Sequence, residues 1–413
     1  MSYNILIAAW GGPGHLGPML TAACQLRQHG HNVRFISRAD ARTDVASAGF
    51  GFATWQRTPS ISAIARGQDG LPYAYDHLLF GPAAARAADT REEIARTPTD
   101  ALLSDSALFG STLAAEAAGI PCALLSPTIS LRPLPGAPPL GSFLPAPRTT
   151  EDRSIVEAAT VQFTAVMNKW LPMLNDARAR QGLAPLDCAL QLFDRAERLL
   201  LAMSAAFDFA ADYLPKNVRY IGPLLDSASW SKPWVAPWPA RSGRPRVLVS
   251  FSTTNQGQAG ALQRVVNAVA QAGMDGVATV GPALDTATFD APKNVTLLPS
   301  APHDAVMKEV SLVVAHAGHG TVSRALRHGR PLLAMPMGRD QNDVALRVEA
   351  HGAGLILPAG ASETEIAGAL WRLANEPQFG LAARRLAEAI TFDITQERLV
   401  SEMEAIVSAY RRE

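Results

Sequence analysis

The sequence has little cysteine, no excess of charge of either sign and no long apolar run, and each shortage excludes a class of protein. Its 413 residues include only Cys24, Cys122 and Cys188, too few and too scattered for a disulfide framework or a zinc site. Lys and Arg number 37, as do Asp and Glu, so neither nucleic acid nor an anionic membrane is expected as the main partner. No apolar run reaches the ~18 residues that span a bilayer, and the N-terminus lacks the basic segment of a signal peptide. We therefore expect a cytoplasmic protein without stable membrane insertion, and the sequence gives no indication of its oligomeric state.

What is abundant is apolar sequence with a regular rhythm. Hydrophobic residues make up 48% and charged residues 18%, which is typical of an ordered chain. At roughly 150 residues per domain, the length predicts two domains, each with its own core. Short apolar runs alternate with stretches of helical spacing, which predicts parallel sheets covered by helices. The predicted strands are Asn4–Trp10, Val33–Ile36, Ala101–Leu103, Cys122–Leu125, Arg246–Phe251, Gly276–Val280, Val295–Leu298, Ser311–Ala315 and Pro331–Ala334. The main predicted helices are Pro18–His29, Ser111–Ala118, 151–182, Ala259–Ala272, Val322–His328, Asp343–His351 and Thr395–Tyr410.

Two irregular segments interrupt this rhythm. Seven prolines between Pro127 and Pro147 predict a long loop without regular structure. The segment 222–243 holds three tryptophans among Pro, Ser and Lys, and we interpret it as an interdomain linker whose indoles pack on the surfaces they cross. The predicted division is therefore a first domain over 1–221, the linker 222–243, a second domain over 244–393 and a terminal helical segment over 394–413.

A glycine turn near the N-terminus carries a candidate base. Gly12–Gly17 follows a predicted strand and opens a helix, which formally matches the G-x-G-x-x-G pattern of dinucleotide sites. An acidic residue usually follows the second strand of such a site, but Ser37 and Arg38 stand there, which favours at best an NADP-dependent oxidoreductase. His15 lies in this turn, where an imidazole can act as a general base. Asp105 ends another strand and could orient His15, although a histidine that caps the turn and an aspartate that caps a helix remain the alternatives.

A second glycine turn follows the strand that ends at Ala315. Its glycines let backbone N–H groups approach an anion, and the helix that it opens favours negative charge at its N-terminus. The imidazoles could supply further donors or positive charge. The pattern predicts a diphosphate site that needs no metal ion, with a helix-capping loop as the alternative. The candidate residues are His316, Gly318, His319, Gly320 and Thr321.

Other polar residues are expected at the same edge of the second sheet. Asp340 and Gln341 follow the next strand, and adjacent carboxylate and amide groups suit a polyhydroxylated ligand. The alternative is that Asp340 caps the next helix. Hydroxyl side chains, including that of Thr253, end the first strand of this half, and His303 begins another loop that leads to a helix.

These motifs together make the whole chain resemble the UDP-glycosyltransferase-like enzymes, and more narrowly the bacterial antibiotic and macrolide glycosyltransferases. The most specific part runs from Ala301-Pro302-His303 through His316–Thr321 to Asp340-Gln341, which is similar to the family's nucleotide-sugar motif. Gly14-His15 through Pro18 resembles the family's G-H-x-x-P segment, and Asp105 matches its partner aspartate. The resemblance implies the GT-B architecture, in which two Rossmann-like domains face each other across a cleft and the last helix crosses back to the first domain.

The resemblance also implies roles for the matching residues. His15 would deprotonate an acceptor hydroxyl with the support of Asp105. The diphosphate would be held by Thr253 and the second glycine turn, the base and ribose by His303, and the sugar by Asp340 and Gln341. Departures from the plant members are Ser300 in place of a tryptophan, Arg324 in place of the ribose-binding glutamate and Ala317 in place of the first glycine of the turn. These changes favour the bacterial enzymes and leave UDP- and dTDP-sugar donors both open.

The implied reaction is inverting O-glycosyl transfer to an apolar small-molecule acceptor, with a nucleotide sugar as co-substrate and no cofactor. No D-x-D triplet occurs in the chain, which weakens the metal-dependent alternative. Candidate acceptor residues are Tyr73, Tyr75, Phe80 and Phe143, each of which could instead be ordinary core, and loop 127–147 is expected to set acceptor choice rather than donor choice. A sugar-nucleotide epimerase of the same architecture, a non-catalytic nucleotide-sugar binder and the oxidoreductase remain the alternatives.

Overall fold

The computed structural model describes residues 1–58, 75–225, 234–238, 243–251 and 256–412. These residues form two parallel sheets in the order β3-β2-β1-β4-β5-β6-β7 and β10-β9-β8-β11-β12-β13. The first consists of β1 (Asn4–Ala8), β2 (Asn32–Ser37), β3 (Gly51–Thr54), β4 (Ala101–Asp105), β5 (Cys122–Ser126), β6 (Arg198–Leu201) and β7 (Val218–Tyr220). The second consists of β8 (Arg246–Ser250), β9 (Asp275–Thr279), β10 (Val295–Leu298), β11 (Leu312–Ala315), β12 (Leu332–Ala334) and β13 (Gly354–Ile356).

Helices connect these parallel strands, as a parallel sheet requires. In the first half they are α1 (Pro13–Gln28), α2 (Arg42–Ser47), α3 (Ala83–Arg96), α4 (Phe109–Ala118), α5 (Thr150–Asn168) and α6 (Leu171–Ala179). In the second half they are α7 (Ala259–Gln271), α8 (His303–Glu309), α9 (His319–Arg327), α10 (Gln341–Ala350), α11 (Glu363–Asn375) and α12 (Pro377–Thr395), followed by α13 (Arg398–Tyr410). A π-helical turn, Tyr75–Phe80, precedes α3.

The predicted two-sheet α/β fold is confirmed. Each predicted strand is present, with ends that differ by at most two residues from those observed. Residues 127–149 form neither helix nor strand, as the prolines predicted. The helix starts were placed too late, because α1 begins at Pro13 and α9 at His319. Proline suits the first position of a helix, so it marked a helix start here rather than a turn.

The last helix lies on the first domain, as predicted. Residues of α13 are buried in one cluster with β1, β2 and α1, and the members from α13 are Leu399, Val400, Met403, Ile406 and Val407. Polar contacts border this cluster: His31 Nε2 lies 3.2 Å from Glu404 Oε1, and Arg198 Nε donates to Glu402 Oε2 at 2.5 Å. The chain therefore ends by covering the domain in which it began.

Two tryptophans of the segment 222–243 lie among the described residues and contact the second half. The indole nitrogens of Trp234 and Trp238 donate to the carboxylate of Glu309 at 2.7 and 3.1 Å. The guanidinium of Arg246 lies 5.1 Å from the ring centre of Trp238. The indoles thus pack on the surface at the start of the second sheet, and Trp230 lies outside the described residues.

Candidate active site

His15 and Asp105 meet at the carboxyl edge of the first sheet. Their strands are neighbours, with Ala8 of β1 paired to Ser104 of β4. His15 Nδ1 lies 2.6 Å from Asp105 Oδ2. The other carboxylate oxygen accepts the backbone N–H of Ala107 at 2.9 Å, and the side chain of Asp105 is fully buried. Since 35% of the His15 side chain is exposed and Nδ1 is occupied, Nε2 is the nitrogen left for a substrate proton.

The charge of Asp105 governs the protonation of His15. Burial of the imidazole opposes its protonation, but the charge of Asp105 and the hydrogen bond to it outweigh that effect. The pKa of His15 is therefore raised above its usual 6.5. The negative charge of Asp340 raises it further, while Arg339 lowers it. The charge of Asp340, a predicted sugar-binding residue of the second domain, therefore affects the protonation of His15 in the first domain.

The second glycine turn has the backbone geometry of an anion site. Gly318 is the N-cap of α9, and no side chain caps the helix, so the N–H groups of its first turn are free of a side-chain acceptor. A Cβ at Gly318 would lie 2.6 Å from His316 Nε2, so a larger residue at this position would displace that imidazole. Ala317, at φ +63°, adopts the left-handed conformation that glycine tolerates best.

His316 and His319 are neutral in this turn rather than cationic. Burial lowers the pKa of both imidazoles, against the opposing charge of Asp340. His316 Nδ1 is buried and has no hydrogen-bond partner among the described residues. His319 Nε2 lies 3.3 Å from Ser323 Oγ. The positive charge that the sequence allowed for these residues is therefore not present at neutral pH.

Asp340 and Gln341 sit where the two halves touch. Asp340 precedes α10 and accepts a hydrogen bond from Thr128 Oγ1, in the loop after β5 of the first domain. Gln341 is buried, and its Oε1 accepts the backbone N–H of Met337 at 2.8 Å. Its Nε2 donates to Gln256 Oε1 at 2.9 Å. Both side chains are held in place by neighbours at the carboxyl edge of the second sheet.

His303 and Arg324 lie on the α8–α9 side of the second half. His303 Nε2 is 3.4 Å from Ser250 Oγ, at the end of β8. Arg324 pairs with Asp304, whose Oδ1 lies 2.8 Å from His328 Nε2. Burial opposes ionisation of Asp304, but its bonds to His328 and the charge of Arg324 lower its pKa to about 2. Arg324, which the resemblance aligns with a ribose-binding glutamate, thus forms an ion pair with Asp304.

The predicted acceptor residues do not form one group. Tyr75 and Phe80 are buried in an aromatic cluster, in which the ring of Trp170 lies 4.9 and 5.9 Å from theirs. This placement is that of core residues, the alternative that the sequence left open. Phe143, by contrast, is 53% exposed. Tyr73 and Thr253 lie outside the described residues, so the acceptor pocket stays a prediction.

The sequence reading missed the contacts that join the two halves. Asp208, after β6, accepts a hydrogen bond from Arg347 Nε of α10 at 2.7 Å, and both side chains are buried. Gly141 N donates to Asp343 Oδ2 at 3.0 Å. Thr128 could have been found, because it follows a strand at the edge where ligands bind. Nothing in the sequence pattern marks Asp208 or Arg347.

Two further features are absent from the described parts of the chain. No cluster of three or more His, Cys, Asp or Glu side chains there could hold a metal ion. No helix in those parts is both long and apolar enough to cross a bilayer.

The chain is similar to several glycosyltransferases of antibiotic pathways. The model for the C-terminal domain of erythromycin biosynthesis protein CIII-like proteins matches residues 263–406. The chain is 28% identical over 405 residues to 4'-demethylrebeccamycin synthase of Lentzea aerocolonigenes, covering 94% of this chain and 96% of that protein. It is 34% identical over 173 residues to aklavinone 7-beta-L-rhodosaminyltransferase of Streptomyces galilaeus, covering 41% and 39%.

Solved structures share the fold over almost the whole chain. The calicheamicin glycosyltransferase CalG4 has a TM-score of 0.78 at 20% identity, covering 98% of each chain. The glycosyltransferase VinC, solved in complex with dTDP, has a TM-score of 0.72 at 20% identity, covering 99% of this chain and all of that one. With this fold and these relatives, the chain is a glycosyltransferase of GT-B architecture that is similar to antibiotic-pathway glycosyltransferases over almost its whole length.

Proposed function

We propose that this glycosyltransferase is an inverting O-glycosyltransferase that moves a sugar from a UDP- or dTDP-sugar to a hydroxyl of an apolar natural product, without a metal ion. The observation that carries the proposal is the 2.6 Å contact between His15 and the buried Asp105, beside residues of the donor half. The antibiotic-pathway names of the relatives support the acceptor class, and the dTDP complex of VinC supports a nucleotide sugar as donor.

His15 acts as the general base. Its Nε2 takes the proton of the acceptor hydroxyl while the hydroxyl oxygen forms a bond to the anomeric carbon. The electron pair of the broken anomeric C–O bond leaves with the nucleoside diphosphate. Asp105 stabilises the imidazolium that results, as the carboxylate does in other histidine dyads. Attack opposite to the leaving group inverts the anomeric configuration.

The second glycine turn stabilises the departing diphosphate. The first N–H groups of α9 have no side-chain cap, and the positive end of the helix dipole favours an anion there. The unpartnered Nδ1 of His316 adds a polar group whose hydrogen bond remains to be made. Asp340 and Gln341 hold sugar hydroxyls, and His303 lies by the base and ribose. These groups take the part that a metal ion plays in other transferases.

The glycine pattern at Gly12–Gly17 serves α1 and His15 rather than an NADP site. Arg38, the residue that would meet a 2'-phosphate, instead donates to Asp40 Oδ2 at 2.5 Å. The glycosyltransferase relatives also disfavour the oxidoreductase alternative.

A two-step experiment tests the proposal. A thermal-shift panel of UDP-, dTDP- and GDP-sugars first identifies the donor, which is then incubated with a library of aglycones and analysed by mass spectrometry. His15→Ala is expected to abolish transfer and to leave donor binding unchanged. Normal turnover by this variant would refute the role of His15. Conversion of the donor sugar with no acceptor present would instead identify the epimerase.

A further inference from the structure

A buried arginine in the first domain forms no ion pair with any residue that the structure describes. Arg86 of α3 is completely buried. Its guanidinium carbon lies 5.1 Å from the ring centre of Trp10 and 5.5 Å from that of Trp55. Its Nη1 donates to the backbone oxygen of Leu78 at 2.5 Å. This single bond leaves most of the donors of the guanidinium group without a partner.

The unpartnered donors of Arg86 form one edge of the group. Nε and Nη2 are buried and have no hydrogen-bond partner among the described residues. These two N–H groups point the same way and together match the two oxygens of a carboxylate. The indole nitrogen of Trp55 is also buried and unpartnered in the same part of the chain. Two nitrogens of the guanidinium and the neighbouring indole nitrogen of Trp55 therefore lack an acceptor among the described residues.

The charges around Arg86 also favour the binding of an anion. Burial lowers the pKa of Arg86 to about 9, and the charge of Asp105 opposes that shift, so the guanidinium stays protonated at neutral pH. The charge of Arg38 acts in the same direction as burial, which makes the surroundings still more positive. The carboxylate of Asp105 is already occupied by His15 and Ala107. A buried charge in such a setting is costly unless a partner arrives.

We propose that the Nε and Nη2 edge of Arg86 binds a carboxylate carried by the acceptor. The assignment of the carboxylate to the acceptor rests on the proposed function. The ring of Trp10 neighbours both polar groups, with its centre 6.4 Å from that of His15 and 5.1 Å from the guanidinium carbon of Arg86. An acceptor that reaches both groups is therefore a hydroxy acid whose apolar body, about one ring system long, lies along Trp10.

Because Nε and Nη2 are buried, a neighbouring side chain has to move to admit this group, and we expect it to be Trp10. The Nε and Nη2 atoms are covered, and of the two indoles beside them Trp55 is buried whereas Trp10 is half-buried. A displaced Trp10 would still lie against the apolar body of the acceptor. The carboxylate then pairs with a charge that is already desolvated, which strengthens the hydrogen bonds between them.

The test measures binding, so it needs no sugar transfer. The probes are 6-hydroxy-2-naphthoate, its methyl ester and acetate, titrated by calorimetry into the wild-type protein and into Arg86→Met and Arg86→Lys. The wild type is expected to bind the acid at least about tenfold more tightly than the ester, since hydrogen bonds between charged groups are the strong ones. Arg86→Met should lose this preference. Arg86→Lys keeps the charge without the two-donor edge and should show an intermediate preference.

Three results would overturn the proposal. Equal affinity for acid and ester in the wild type, or an unchanged preference in Arg86→Met, removes Arg86 as the binding group. Acetate that binds as tightly as the naphthoate would identify a site for a free small carboxylate and refute the acceptor assignment. If Arg86→Met does not fold, as judged by circular dichroism, Arg86→Lys decides the question alone. Absence of transfer to every member of the aglycone library, with the acid preference of the wild type intact, would contradict the proposed function while the carboxylate site stands.

Discussion

His15 must be neutral to take a proton, and its bond to Asp105 makes neutrality harder to reach. Because the pKa of His15 is raised above 6.5, the transfer rate should fall as the pH is lowered through that raised value, by about tenfold per unit below it. The measurement is kcat/KM against pH with saturating donor. A rate that stays constant down to pH 6 would contradict a neutral His15 as the base.

Asp105→Asn separates the two effects of the carboxylate. With the charge removed, burial dominates, so the pKa of His15 falls and the acid limb of the profile moves to lower pH. The maximal rate should nevertheless drop by roughly 10²–10⁴-fold, since the imidazolium loses its support. Donor affinity, measured by calorimetry, serves as the control. An unmoved acid limb would show that Asp105 does not set the protonation of His15.

Gly318→Ala tests the fit of the second glycine turn. The new Cβ would meet His316 Nε2 at 2.6 Å and displace that imidazole, so the affinity for the nucleoside diphosphate should fall about tenfold or more. Gly368→Ala is the matched control, because Gly368 lies inside α11 with no atom within 4 Å of an added Cβ. That variant should bind as the wild type does and gain about 0.5–1 kcal/mol in stability. Equal affinity in both variants would refute the role of the turn.

At the residue scale, the sequence predicted which residues form the site better than it predicted their protonation and their ion pairs. The pairing of His15 with Asp105 followed from the rule that neighbouring parallel strands present their carboxyl ends at one edge. The neutrality of His316 and His319 depends on how deeply each ring is buried, and the unpaired Arg86 depends on which groups surround it. Neither quantity is encoded in the spacing of residues.

At the scale of elements, nine strands could be predicted from their apolar runs and four short strands could not. Strands β3, β6, β7 and β13 have only three or four residues each, and the sequence reading did not identify them. β3, β7 and β13 lie at the edges of their sheets and β6 lies beside β7, so their structure depends on the sheet rather than on their own pattern. The helix starts at Pro13 and His319 were misplaced because glycine and proline signal turns and helix N-termini alike.

The last helix offers a test at this scale. Met403 of α13 is 1% exposed and packs with β1 and α1, so Met403→Ala should destabilise the first domain by about 2–5 kcal/mol. Urea unfolding followed by tryptophan fluorescence measures the loss. Ser401, exposed on the same helix, provides the control, and Ser401→Ala should change stability by less than about 0.5 kcal/mol. Equal stability of the two variants would show that α13 does not support the first domain.

At the scale of the whole molecule, the proline-rich loop belongs to both halves. Thr128 contacts Asp340, and Gly141 contacts Asp343, so residues of loop 127–147 hold the start of α10. The expectation that this loop sets acceptor choice alone therefore needs revision. An exchange of the whole loop should change donor and acceptor preference together, because two of its contacts end on the helix that carries the donor residues.

The buried pair Asp208–Arg347 also links the halves, and removal of either partner alone should destabilise the protein. Arg347 Nε lies 2.7 Å from Asp208 Oδ1, and its guanidinium lies 4.3 Å from the ring centre of Phe209. Tyr220 donates to the second oxygen of Asp208 at 2.6 Å. Arg347→Met leaves this carboxylate buried without a cation, which should cost about 3–5 kcal/mol. Since α10 begins at Gln341, the affinity for the nucleotide sugar should fall as well.

A double-mutant cycle measures how much of that loss is the pair itself. Asp208→Asn combined with Arg347→Met removes both charges, so the double variant should be less destabilised than the sum of the two single variants. The exposed pair Arg180–Asp176 is the matched control, and Arg180→Met there should cost less than about 1 kcal/mol. Strict additivity of Asp208→Asn and Arg347→Met in urea unfolding would refute the coupling. Coupling in stability with unchanged donor affinity would instead confine the pair to holding the domains together, with no influence on the residues at the start of α10.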